Sequence, residues 1–234
     1  MKLDIINHVH NYSRCLAYQL SSLVLYQTKV DVTYILYHTA DDADTLAVIE
    51  HFRPKMPIPF ITRTQDLNVL RNRAAGRHEV AMTTEADWVW FTDTDHLFRR
   101  NCLDRLSEVI TDRWGQPPAQ VDLCFPKYVQ VTEQPVGDKL IESMTRPMVL
   151  DVPDEVFWPY KMRVAIGGIQ IATREACRRV GYVPWMRHDR PGNWDFSSDR
   201  KFRSQLDIRH SIDLPNICRI RHGTRGYKEI GTKL

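Results

Sequence analysis

The sequence predicts an α/β domain, a mostly parallel sheet flanked by helices, with a smaller and less regular subregion behind it. Two observations carry that prediction. Up to residue 125, short apolar runs alternate with helix-period segments of about a dozen residues. The run Trp88 to Thr92 is almost wholly apolar, as expected of a strand covered on both faces. After Pro126 the alternation lapses.

Each element has its own signature. Leu3 to Ile6 reads as the first strand, and Leu16, Leu20 and Leu23 at i, i+4, i+7 mark the first helix. Val32 to Tyr37, β-branched and aromatic, is the second strand. Asp41, Asp42 and Asp44 suit a loop and first helical turn leading to Phe52, with Pro54 as the stop. Ile58 to Ile61 is a third strand between prolines, and Asp66 caps a helix through Leu67, Leu70 and Ala74 that ends at Gly76 or a little beyond. Leu103, Leu106 and Ile110 mark the helix after the fourth strand, and Val121 to Phe125 the next strand.

Residues 131–163 carry Pro135, Pro147, Pro153 and Pro159 with no clean period, which reads as irregular hairpins plus a functional or mobile loop. Order returns at Val164 to Ala172, an apolar run interrupted by Gly167 and Gly168. A short helix closed by Gly181 follows, then a loop at 182–194, a helix over 195–206, and two short strands around Pro215. The whole is read as one domain, 1–234, made of a first half (1–125), a second half (126–222) and a flexible tail (223–234).

Composition excludes several classes. Lys and Arg total 32 against 29 Asp and Glu, and a net charge of +3 gives no argument for a nucleic-acid partner. No stretch approaches the ~20 apolar residues of a membrane span, and the opening MKLDIINHVH does not read as a signal peptide. Five scattered cysteines fit neither a disulfide framework nor a thiolate zinc site, so a reducing, cytoplasmic location is expected.

The sharpest feature is Asp93-Thr94-Asp95 at the end of the fourth strand. Carboxylates at i and i+2 leave the strand on one side, where open α/β sheets bind ligands. Two such acids repel each other, so a cation is the natural third party; an all-oxygen site suits Mn²⁺ or Mg²⁺ with substrate phosphates completing the shell.

Here the sequence resembles the GT-A (Rossmann-like) nucleotide-sugar glycosyltransferases, in particular the large inverting family 2. The resemblance rests on Arg71-Asn72 ahead of the Asp-x-Asp strand, on Asn11-Tyr12-Ser13-Arg14 with Leu20-Ser21-Ser22-Leu23 and Gln27, and on Gly167-Gly168-Ile169-Gln170 with Thr173-Arg174-Glu175 and Val180-Gly181. It implies sugar transfer from a nucleoside-diphosphate sugar, UDP or GDP linked, to a saccharide or other hydroxyl acceptor, with inversion. It also implies roles. Asp95 would hold the metal and diphosphate, Asp93 would share the metal and lie nearer the ribose or sugar, and His222 would complete the metal shell. Arg71 and Arg73 would lie over the donor phosphates or sugar, and Asp41 or Asp42 would face the nucleobase and ribose. Gly167 and Gly168 would let backbone approach the donor sugar, and Trp185 and Trp194 would suit stacking on sugar rings. Asp199 would be the general base, with Asp195, one turn earlier, as the substitute.

The sequence departs from the family at two places: the first loop holds His8, His10 and Asn11 instead of an aspartate, and the usual Glu-Asp pair reads Ser198-Asp199. Two other enzyme classes fit less well. A haloacid-dehalogenase-like phosphatase would begin at the Asp93 strand, and a nucleotidyltransferase would open with a glycine-rich loop that Asn7 to Arg14 lacks. An inactive sugar- or nucleotide-binding relative remains the non-enzyme reading.

Overall fold

A computed structural model of the chain describes residues 1–115, 121–182 and 197–223. Its strands are β1 (Lys2–His8), β2 (Asp31–His38), β3 (Phe60–Thr64), β4 (Trp88–Thr92), β5 (His96–Phe98), β6 (Leu123–Pro126), β7 (Tyr128–Thr132), β8 (Phe157–Lys161), β9 (Ile169–Thr173), β10 (Arg209–Ile212) and β11 (Ile217–Arg219). Its α-helices are α1 (Ser13–Leu25), α2 (Ala43–Phe52), α3 (Leu67–Arg71), α4 (Arg73–Thr83), α5 (Cys102–Trp114), α6 (Gln134–Ser143), α7 (Arg174–Val180) and α8 (Ser197–Ser204).

Seven strands form the main sheet in the order β10-β6-β9-β4-β1-β2-β3. The pairs β4–β1, β1–β2, β2–β3 and β10–β6 are parallel, whereas β9 runs antiparallel to both β4 and β6. In the β4–β9 register Thr92 lies opposite Ile169 and Trp88 opposite Thr173. A second sheet, β5-β11-β7-β8, holds the residues that follow the carboxylate turn. Every residue of β4 is buried, in keeping with its central place. One apolar core joins α1, β1, β2 and α5; a second, around Phe91, Ala74, Tyr182 and Phe202, lies on the opposite face of the sheet.

Several elements differ from expectation, among them β6, which starts at Leu123 instead of Val121, and α4, which runs on to Thr83. The helix begun at Asp66 is two, because Asn72 has non-helical φ and ψ of −88° and 79° and separates α3 from α4. The third strand starts two residues later than read, at Phe60. The stretch 131–163, read as irregular, holds a ten-residue helix, α6, and strand β8, which pairs antiparallel with β7 just ahead of it. Pro135 lies in the first turn of α6, where its missing N–H costs nothing and its fixed φ suits the helix.

Candidate active site

The site is built outward from the turn between β4 and β5. The His96 N–H donates to the Asp93 carbonyl at 3.2 Å, closing that turn. Gln19, fully buried on α1, donates its amide nitrogen to the carbonyls of Asp93 (2.9 Å) and His96 (2.8 Å). Its oxygen accepts from the Asn7 amide at 2.7 Å and from the Tyr34 hydroxyl, so the amide is oriented unambiguously.

Two arginines one turn apart on α4 then join two carboxylates. Asp93 Oδ1 accepts from Arg73 Nη1 and, at 3.1 Å, from Arg77 Nη2. Asp199, on α8, accepts from Arg77 Nη1 at 2.7 Å and the Tyr182 hydroxyl on Oδ1, and from Arg73 Nη2 at 2.6 Å on Oδ2. Arg77 also donates to the carbonyls of Gly167 (3.0 Å) and Thr92 (3.1 Å) and lies over the rings of Phe91 and Tyr182. A fully buried guanidinium is tolerable only with such pairing. Burial pushes the Asp93 carboxyl up, but Arg73 and Arg77 outweigh it and hold it below the usual carboxylate range. Burial works against the Arg77 cation too, and Tyr182, Asp199 and Asp93 more than reverse it.

Asp95 is held separately. Its Oδ2 accepts from Arg219 Nε at 2.7 Å, and its backbone carbonyl accepts from the Ile220 N–H at 2.9 Å, tying the turn to β11. Burial raises its carboxyl, yet Arg219 and His96 bring it well below the ordinary value. Asp95 Oδ1 lies 3.0 Å from His96 Nδ1 without forming a hydrogen bond. His222, edge-on to Tyr12 at 5.5 Å, likewise has a buried Nδ1 with no hydrogen-bond partner, and it lies near enough to lower the Asp95 carboxyl. No cluster of three or more His, Cys, Asp or Glu side chains suited to a metal is gathered among the described residues. The donor set is compatible with a divalent cation: a carboxylate oxygen of Asp95 and an imidazole nitrogen of His222, both without a hydrogen-bond partner, with phosphate and water left to supply the rest.

Gly167 and Gly168 are required for close approach, and what approaches is the charge cluster. A Cβ on Gly167 would lie 2.0 Å from Asp199 Oδ2, and one on Gly168 would lie 2.8 Å from Asp93 Oδ2. Asp42 caps α2, accepting from the Thr45 N–H (3.2 Å), the Thr45 hydroxyl (2.7 Å) and the Asn11 N–H (2.6 Å), while Asp41 beside it is exposed. Arg71 ends α3 half-buried and forms no ion pair among the described residues. The fold thus brings Asp93, Asp95, Arg73, Gly167, Gly168, Asp199 and His222 to one end of the sheet. Asp195, Trp185 and Trp194 lie outside the described residues.

Sequence reasoning missed Arg77, Gln19, Tyr182 and His8. Arg77 had a legible signal, since it shares the buried helical face of α4 with Arg73, Ala74, Val80 and Ala81. His8, at the end of β1, stacks on Tyr37 with ring centroids 4.8 Å apart, and neither ring nitrogen has a hydrogen-bond partner. Burial, reinforced by Arg77 and Arg73, pushes its pKa well down, so the ring is neutral. Gly76 makes room for it, because a Cβ there would lie 2.3 Å from His8 Nε2.

No protein-family profile matches the chain, and no curated protein matches it. Solved structures do. Staphylococcus aureus TarS is 14% identical, with a TM-score of 0.59 over 93% of this chain and 36% of that one. Its residues 1–349 in complex with UDP-GlcNAc match at 14% identity and a TM-score of 0.59, over 97% of this chain and 60% of that one. The mannosyltransferase PcManGT from Pyrobaculum calidifontis, in complex with GDP-Man and Mn²⁺, is 13% identical, with a TM-score of 0.56 over 93% and 56% of the two chains. This chain therefore spans between about a third and three fifths of the length of those proteins. At such identities the likeness speaks for the fold, and the fold is the GT-A architecture that the sequence resemblance implied.

Proposed function

We propose that this chain transfers a sugar from a nucleoside-diphosphate sugar to a hydroxyl acceptor, with Asp95 and His222 holding Mn²⁺ or Mg²⁺. The observation that carries the reading is the double clamp of Arg73 and Arg77 on Asp93 and Asp199, beside Asp95 at the strand ends. The fold supports it, because one chain of this fold is bound to UDP-GlcNAc and another to GDP-Man and Mn²⁺. UDP and GDP sugars are accordingly the donors to test first.

When bound, the cation neutralises negative charge growing on the departing diphosphate. The rest falls to the chain's own side chains. Arg73 presents a planar fork that can trade a carboxylate oxygen for a phosphate oxygen without losing a charge-assisted hydrogen bond. Asp41, exposed beyond β2, is assigned to the nucleoside, and Asp42 caps α2 beside it. Arg71 adds positive charge ahead of the clamp. Asp199 orients both arginines; to act as general base on the acceptor hydroxyl, it would need Arg73 drawn off Oδ2 toward the donor. Attack assisted by one such carboxylate, on the face opposite the leaving group, inverts the anomeric centre.

A donor panel tests this reading. UDP, GDP and dTDP sugars are incubated with Mn²⁺, and the nucleoside diphosphate released is measured together with the anomeric configuration of any product. Release from none of them would refute the transfer reading. A second reading, a nucleotide-sugar binder without transfer, is favoured by one observation: both Asp199 oxygens are already engaged by cations and a hydroxyl. Metal-dependent nucleotide binding without release or transfer would decide for it.

A further inference from the structure

Beyond the carboxylates the chain has a second concentration of charge. A groove of about 430 Å³ has Leu123, Phe125 and Ala165 along its floor and Arg163, Arg200, Arg203 and Arg209 around its walls. Three of these arginines are exposed and Arg203 is half-buried. Among the described residues none of the four is paired with a carboxylate; the one contact between them is Arg209 Nη1 donating to the Arg203 carbonyl at 3.5 Å. This differs from the arginines of the clamp and from Arg99 and Arg179, each neutralised by an aspartate.

The groove lies next to a second one that reaches the neighbours of Asp95. Arg163 and Val164 also line a neighbouring groove of about 390 Å³, and His96 and Arg219, the two neighbours of Asp95, line it as well. Helix α8 serves both ends: Asp199 joins the clamp, while Arg200 and Arg203 line the groove. Four like charges around one concavity repel each other and focus field lines, an arrangement that an anion relieves. Guanidinium forks match phosphate oxygens in pairs, and an apolar floor accommodates the carbon backbone between them.

We infer that this groove receives the acceptor, and that the acceptor is a phosphate-bearing compound in solution whose hydroxyl reaches the Asp95 end while its phosphates lie among Arg163, Arg200, Arg203 and Arg209. The acceptor role rests on the glycosyl-transfer reading; the anion site does not. A soluble molecule is favoured over a lipid surface because the arginines line a concavity, which a chain can enter and a flat headgroup layer cannot.

The probe is inorganic tripolyphosphate, titrated by calorimetry into the protein and into the triple variant Arg200→Ala/Arg203→Ala/Arg209→Ala, with Arg209→Glu as a single-site check on folding. The parent is expected to bind with an affinity that falls as salt rises, and the triple variant to bind at least about tenfold more weakly. UDP and GDP with Mn²⁺, titrated into the same samples, separate loss of the groove from loss of the fold. Equal tripolyphosphate binding by parent and variants, or none by the parent at millimolar concentration, would overturn the inference. So would arginine-dependent sedimentation with phosphatidylglycerol vesicles in the absence of tripolyphosphate binding, which would make the surface a membrane patch. If tripolyphosphate binds through these arginines but the donor panel releases no nucleoside diphosphate, the acceptor assignment falls with the transfer reading and only an anion site is left.

Discussion

Arg77 Nη1 and Asp199 Oδ1 are 2.7 Å apart, with the arginine side chain fully buried and the aspartate side chain 7% exposed. That pair links α4 to α8 behind the strand ends, and it makes Arg77 a structural as well as an electrostatic component of the site. Replacing Arg77 by alanine would leave Asp199 and Asp93 short of a buried partner. The expected cost is about 3–5 kcal/mol, the range for removing one member of a buried ion pair. The midpoint of urea unfolding measures it, and an unchanged midpoint would refute the assigned role.

Asp199→Asn separates orientation from proton transfer. If Asp199 chiefly positions the arginines, the amide loosens Arg73, and both nucleotide affinity and turnover should fall, each by roughly tenfold for one lost charge-assisted contact. A base that acts only in the transition state gives another pattern: kcat lower by about 10² to 10⁴, with affinity nearly intact. Calorimetry and steady-state kinetics on the same variant distinguish them, and the geometry favours the first.

Asp95→Ala removes the orphaned oxygen beside His96 and frees Arg219. Binding of UDP or GDP should then lose its dependence on Mn²⁺. Calorimetry with and without EDTA checks this; a variant with the parent's metal dependence would show that Asp95 is not the ligand.

Acid should unfold the protein partly through its carboxylates. Asp93 and Asp95 are both held below their ordinary values, by arginines that outweigh the effect of burial. A depressed folded value means a stabilising contribution that is complete well above the unfolded value, near pH 3.9, and is lost as pH falls through the folded value. Urea midpoints should therefore drop steeply below about pH 4, and less steeply in Asp93→Asn. Parallel slopes for parent and variant would contradict the linkage.

Much of the frame was legible because it rests on apolar periodicity. The β4 run and the α1 and α5 stripes each lie where the sequence placed them, since burial on one face or on both leaves a direct imprint. Helix α6 was not legible, because Pro135 and Gly137 read as breakers although both are accommodated: the proline in the first turn, and the glycine where a Cβ would lie 1.9 Å from the Arg221 carbonyl oxygen. In the site, the paired aspartates stood out against an apolar strand. Gln19 did not, because a polar residue on a helix is ordinarily on its wet side, and only the tertiary packing shows it to be inside; Arg77 was legible only through its spacing from Ala74, Val80 and Ala81 on α4.

The reversed direction of β9 has a geometric consequence. Because it runs against β4, its entry, and not its exit, stands level with the point where β4 ends, Thr92 opposite Ile169. A parallel strand in that slot would carry Gly168 to the opposite end of the strands, about 20 Å away at ~3.3 Å per residue. A slip of two residues in this pairing would preserve the inward and outward faces and yet draw Gly168 about 7 Å from Asp93. The two walls of the cleft are therefore indexed to each other by a ladder of main-chain bonds, a ruler that side-chain substitutions on either wall leave unread.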